Sequence, residues 1–69
     1  MEFYLVDVKS TVNVNGKDVA FDYINTYYDL DKAIKEAELL SVNKEVLDVS
    51  VHKWILKEDG TQEHLDYIK

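Results

Sequence analysis

Residues 3–28 read FYLVDVKSTVNVNGKDVAFDYINTYY, two runs of alternating side chains meeting at Asn15-Gly16. Asn-Gly is the dipeptide best suited to a two-residue type I′ turn, because both central residues of that turn need positive φ. With those two residues as the loop, Val14 lies opposite Lys17, and every further pair has position numbers summing to 31. One face of the hairpin then carries Val12/Val19, Ser10/Phe21, Val8/Tyr23, Val6/Asn25 and Tyr4/Tyr27, apolar along most of its length. The other carries Asn13/Asp18, Thr11/Ala20, Lys9/Asp22, Asp7/Ile24, Leu5/Thr26 and Phe3/Tyr28, a mixed face with opposite charges at Lys9/Asp22. A slip of one residue would set apolar side chains against polar ones throughout, so turn chemistry and alternation specify the same register.

Beyond the hairpin, Asp29 is a good N-cap for a helix starting at Leu30. Leu30, Ala33, Ile34, Ala37 and Leu40 or Ser41 form its apolar stripe, with Asp31, Lys32, Lys35, Glu36 and Glu38 outside it. The helix is expected to end near Val42, with Asn43 as a left-handed cap and Lys44 near the last carbonyls. Alternation returns from Glu45, with Leu47, Val49 and Val51 on one face and Asp48, Ser50 and His52 on the other. It stumbles at Lys53, before the continuous Trp54-Ile55-Leu56, which fits either a bulge near His52-Lys53 or an apolar second face. Asp59-Gly60 turns the chain into a last strand, Thr61–Ile68. A two-residue loop there pairs Lys53 with Asp66 and Val51 with Ile68; a three-residue loop ending at Gly60 shifts those pairs by one.

These elements predict a single α+β domain over residues 1–69, ordered ββαββ, with one helix on one face of a four-stranded, mainly antiparallel sheet. The helix carries the chain back so that the third strand lies antiparallel to the first, giving spatial order 2-1-3-4. The competing order, 1-2-3-4, needs a parallel pair at the centre.

The chain has 69 residues, no cysteine, fourteen acidic and eight basic residues, and a formal net charge of −6. A core this small leaves little net stability, and without disulfides or thiolate metal sites the remaining supplement is oligomerisation. Absence of cysteine fits a reducing compartment. The acidic Met1-Glu2-Phe3 start lacks signal-peptide features, and no apolar run approaches the ~20 residues that span a bilayer. A cytoplasmic location is therefore expected, without membrane partners. All eight bases are lysine. Phosphate and base-edge recognition rely on arginine forks and a positive field, so direct nucleic-acid binding is not expected. Stacking of bases on the five tyrosines and the tryptophan would need Lys9, Lys17 and Lys53 to cluster.

No Gly-rich phosphate loop or serine-nucleophile motif is present. No catalytic, cofactor-binding or metal-ligating set is assigned, and no cofactor is expected. His52 and His64, with Asp66 beside them, form the one constellation that the second hairpin could assemble for a metal or proton transfer. Its spacing matches no known motif, so the reading from sequence is non-enzymatic. One helix leaves the second sheet face uncovered, and Phe3, Leu5, Ile24, Tyr28, Trp54 and Leu56 are expected there as an interaction face, first of all for a homodimer. The alternative is an acidic phage-type inhibitor that mimics nucleic acid and occupies a basic host protein, with Asp29, Asp31, Glu36 and Glu38 as its surface. Ordinary solubility accounts for the same charge.

The stretch Tyr27-Tyr28-Asp29-Leu30-Asp31-Lys32-Ala33-Ile34-Lys35-Glu36-Ala37, with Val49–Trp54 and Asp59-Gly60, covers about half the chain. It resembles small uncharacterised proteins of Gram-positive bacteria and their prophages, whose helix opens D-L-D-x-A-I-x-x-A before a strand–Asp-Gly–strand. The resembling motifs are a cap, a small-residue stripe and a turn. The resemblance therefore implies a fold and an accessory role through protein binding, and no activity or site residues.

Overall fold

The computed structural model describes residues 1–69 and follows the order β1 (Glu2–Val14), β2 (Lys17–Tyr27), α1 (Leu30–Ser41), β3 (Val46–Leu56) and β4 (Gln62–Tyr67). The sheet runs β2-β1-β3-β4, every adjacent pair antiparallel, with the helix on one face. The β1–β2 register pairs Val14 with Lys17 and continues to Tyr4 with Tyr27, the set that the Asn-Gly turn requires. Asn15 has φ 51° and Gly16 φ 83°, both in the left-handed region that a type I′ turn demands.

Asp29 caps the helix as expected, its Oδ1 accepting from the backbone N–H groups of Asp31 at 2.9 Å and Lys32 at 3.4 Å. The C-terminus differs from expectation. Val42 is the cap, in right-handed geometry, and Asn43 does not take positive φ. Asn43 instead uses its side chain, Oδ1 accepting from Glu45 N–H at 2.9 Å, so a local Asx turn replaces the left-handed cap. No basic residue sits in the last helical turn, which leaves Lys44 outside the role expected for it.

The core is small. Val6, Val8 and Val51 meet Ala33 and Ala37 of the helix, with Tyr4, Tyr23, Tyr27, Leu40, Val49 and Ile68 packed around them. The alanines let the helix lie close to the sheet. Ser10 occupies a buried position in the same β1 row, and its hydroxyl donates to the Glu45 carbonyl at 3.0 Å. A twelve-residue helix is ~18 Å long at ~1.5 Å per residue, whereas thirteen strand residues extend ~43 Å. The helix therefore covers only the Tyr4–Ser10 rows. Beyond it, Val12, Val14 and Val19, and Phe21 at its margin opposite Ser10, stay 42–48% exposed on the face expected to be apolar along most of its length.

The β3 strand keeps its alternation through Trp54-Ile55-Leu56, so its second face is apolar at that end. Its bulge lies elsewhere: Lys9 pairs with Asp48 and Ser10 with Val46, which leaves Leu47 unpaired and exposed instead of on the core face. The β4 strand contains both registers open to the sequence. Next to the turn, Leu56/Gln62, Ile55/Glu63 and Trp54/His64 follow the three-residue loop, with Gly60 at φ 87°. Past Leu65, Lys53/Asp66 and His52/Tyr67 follow the two-residue register, and Leu65 is the extra residue between them.

Candidate functional site: the uncovered sheet face

Residues of odd number in β1, of even number in β2 and, past the bulge at Leu47, of even number in β3 point away from the helix, because strand side chains alternate and Val6, Val8 and Val51 point toward it. The uncovered face has three zones. At the β1 N-terminal end it is apolar. Phe3 is buried and lies opposite Trp54; Leu5, Trp54 and Leu56 are half-buried; Ile24 and Tyr28 are exposed. Met1, Phe3, Leu5, Tyr28 and Leu56 border a depression of about 270 Å³ there. All six expected interface residues thus lie on one face, but Phe3 is a floor for the patch and offers little surface of its own.

The middle zone is charged. Lys9 lies between Asp22 on β2 and Asp48 on β3, with Asp7 and Ser50 one step along. These side chains and Ile24 border a wider hollow of about 570 Å³. The charge has both signs, so the zone is not a uniform field.

The third zone is a polar and aromatic cluster against β4. His52 Nδ1 meets His64 Nε2 at 3.0 Å across the β3–β4 ladder. His52 Nε2 faces Ser50 Oγ at 3.0 Å and Asp7 Oδ2 at 3.5 Å. Tyr67 and Trp54 approach edge-on, with centroids 5.2 Å from His52 and 5.4 Å from His64 respectively. The two histidines come together as the second hairpin implied, but Asp66 does not join them. The extra residue Leu65 breaks the alternation between His64 and Asp66, so Asp66 pairs with Lys53 on the helix side. Asp7 takes its place. The alternation of β3 already puts Ser50 on the His52 face, but Asp7 could not be placed beside them from sequence, because no turn joins β1 to β3 and nothing local fixes that register.

Ser50, His52 and Asp7 contain the residue types of a nucleophile relay without its geometry. A relay needs the hydroxyl on one imidazole nitrogen and the carboxylate on the other. Here both face Nε2, and Nδ1 is taken by His64. No group of three or more His, Cys, Asp or Glu side chains is arranged to hold a metal ion.

On the opposite side, Asp29, Asp31 and Glu38 are exposed and Glu36 is half-buried. Asp29 is committed to its cap, and Glu38 pairs with Lys69 at 3.5 Å. Glu36 and burial both raise the Tyr27 phenol pKa, burial contributing more. The three lysines relevant to base stacking do not cluster: Lys9 is on the uncovered face, Lys53 pairs with Glu2 at 3.2 Å on the helix side, and Lys17 is at the hairpin tip. No helix is long and apolar enough to cross a membrane. No family model, curated protein or solved structure matches the chain.

Proposed function

We propose that this protein is a non-enzymatic interaction module that pairs with a second copy of itself through the apolar end of the uncovered sheet face. The carrying observation is that Leu5, Ile24, Tyr28, Trp54 and Leu56 stay partly or largely exposed on one face of a chain with only seven buried residues. Antiparallel sheets often leave one face to water, but that face is then mostly polar.

Three strands of about eleven residues and a fourth of six give a face of about 600 Å², at ~4.8 Å between strands and ~3.3 Å per residue. That is the projected area of the whole face, charged band included, and the apolar end is one part of it; a standard interface takes ~800 Å² of accessible surface from each partner. A two-fold axis through the apolar end sets like against like there. It leaves the Asp7–Lys9–Asp22–Asp48 band toward the rim, where both charge signs remain solvated. Small domains commonly gain missing core by this route.

Size-exclusion chromatography with light scattering tests the reading. The wild-type chain at high micromolar concentration is expected at twice 8.1 kDa. Ile24→Glu, which places a charge on an exposed position, is expected to return it to 8.1 kDa with its fold intact. A wild-type monomer, unchanged by Trp54→Ala, overturns the proposal.

A further inference from the structure

We propose that His52 and His64 form a two-nitrogen chelate for a borderline transition-metal ion of the Zn²⁺, Ni²⁺ or Cu²⁺ class, with Asp7 and Ser50 orienting His52 from behind. This does not depend on self-association, since both ligands come from one chain.

The spacing suits such an ion. With metal–nitrogen bonds of ~2.05 Å, two ligands subtend ~2.9 Å at a right angle and ~3.3 Å at a tetrahedral angle. The separation of His52 Nδ1 and His64 Nε2 is 3.0 Å, within that range. Imidazole is the side-chain donor that suits these ions, whereas Mg²⁺ and Ca²⁺ take oxygen.

The surroundings select the required tautomer. A metal-bound imidazole donates its other N–H to a carboxylate or similar acceptor, which fixes the ring and raises its basicity. His52 Nε2 faces Ser50 Oγ at 3.0 Å and the Asp7 carboxylate at 3.5 Å, so a proton on Nε2 is favoured and Nδ1 is left with its lone pair toward His64. Without metal, that lone pair accepts from His64 Nε2–H. Metal binding needs His64 to carry its proton on Nδ1 instead, a tautomer change open to an exposed side chain on the edge strand β4. The two rings are tilted by 57°, and chelation requires both to turn about their side-chain bonds until their lone pairs meet at one point. Two protein donors leave the remaining coordination positions to water.

The rest of the cluster supplies no competing cation. Asp7 from β1, Ser50 and Trp54 from β3 and Tyr67 from β4 are the groups facing the pair. Lys53, the next residue along β3, points to the other face and is engaged by Glu2.

The test is titration of the full chain with Zn²⁺ near neutral pH, followed by long-range ¹H–¹⁵N correlation of the imidazoles. His52 Nδ1 and His64 Nε2 are expected to shift together and saturably. In parallel, Ni²⁺ or Cu²⁺ is expected to quench the emission of Trp54, the sole tryptophan, which touches His64 edge-on. His64→Gln, at an exposed position, is expected to lower affinity at least tenfold. Asp7→Asn is expected to lower it about tenfold and to reduce the Nε2–H tautomer of His52 before any metal is added, a signature that loss of stability alone would not give. Zn²⁺ shifts confined to carboxylates, or an affinity indifferent to His64→Gln, overturn the proposal.

Discussion

Val6 and Val51 lie directly opposite each other on adjacent central strands, and neither side chain retains any exposed surface. With Val8, Ala33 and Ala37 they make up the entire fully buried cluster. Removing two methyl groups with Val51→Ala costs about 2 kcal/mol, from lost transfer free energy and an unfilled cavity. A core this size supplies roughly 3–5 kcal/mol net. The substitution is therefore expected to lower the urea midpoint steeply with little change in slope, measured at one protein concentration because the proposed self-association would couple to folding.

The hairpin tip isolates a backbone effect. Gly16 has φ 83°, and a Cβ added there meets nothing within 4 Å. Gly16→Ala is thus expected to cost about 1 kcal/mol through the left-handed backbone alone. Because Val12 and Val19 lie beyond the helix, their amides are expected to exchange faster in this variant while those of Val6 and Val51 change less. Equal acceleration at all four would show that the tip and the core open as one unit.

Acid is expected to loosen the second hairpin at its turn. Lys57 lies 2.7 Å from Glu63 and holds that carboxyl below its ordinary range, chiefly through the hydrogen bond. Asp59 is lowered in the same way by the hydroxyl and N–H of Thr61, at 2.6 and 3.0 Å. A carboxyl whose folded pKa is depressed contributes stability that is present above its unfolded value and lost as pH falls through the folded one. Lys53, raised by Glu2, has the opposite sign, and its contribution is lost only as pH rises through its elevated value. Asp59 and Glu63 are exposed and Lys53 is only half-buried, so the effects are local. Protection of the Thr61 and Gln62 amides, taken relative to their intrinsic exchange rate at each pH, is expected to fall below about pH 4, and Asp59→Asn is expected to remove part of that dependence.

Leu65 offers a sharper test of register. It is the extra residue between the Trp54/His64 and Lys53/Asp66 pairs, and it is 45% exposed. Deleting a strand residue ordinarily reverses every side chain beyond it. Here deletion is expected to regularise the ladder and keep His64 beside His52 and Asp66 beside Lys53. Nuclear Overhauser contacts between the two imidazoles would report it. Their disappearance in a folded deletion variant would show that the bulge is needed to place His64.

The fold was legible wherever a local rule fixed the pairing. Asn15-Gly16 fixed the first register, Asp29 the helix start, and the return of the chain through the helix, which sets the third strand antiparallel to the first, the order 2-1-3-4. Legibility ended where two strands distant in sequence had to find each other. The unpaired Leu47 answers to a β1–β3 match that no turn dictates, and the same match brings Asp7 to His52. The second hairpin was ambiguous for a physical reason: the loop ending at Gly60 starts one register and Leu65 converts it to the other. Sequence could assign His52 and His64 to one side, but it could not foresee that Asp66 would be sent away.

The mismatch between a helix of ~18 Å and a strand of ~43 Å has a last consequence. The ribbon past Ser10 and Phe21 is tied to the rest mainly where Glu45 meets Ser10 and Thr11. Its length can therefore vary in whole cross-strand pairs without disturbing the seat of the helix. That makes Asn15-Gly16 a natural splice point, where a guest loop or affinity tag could be grafted while Val6, Val51 and Ala33 keep their places.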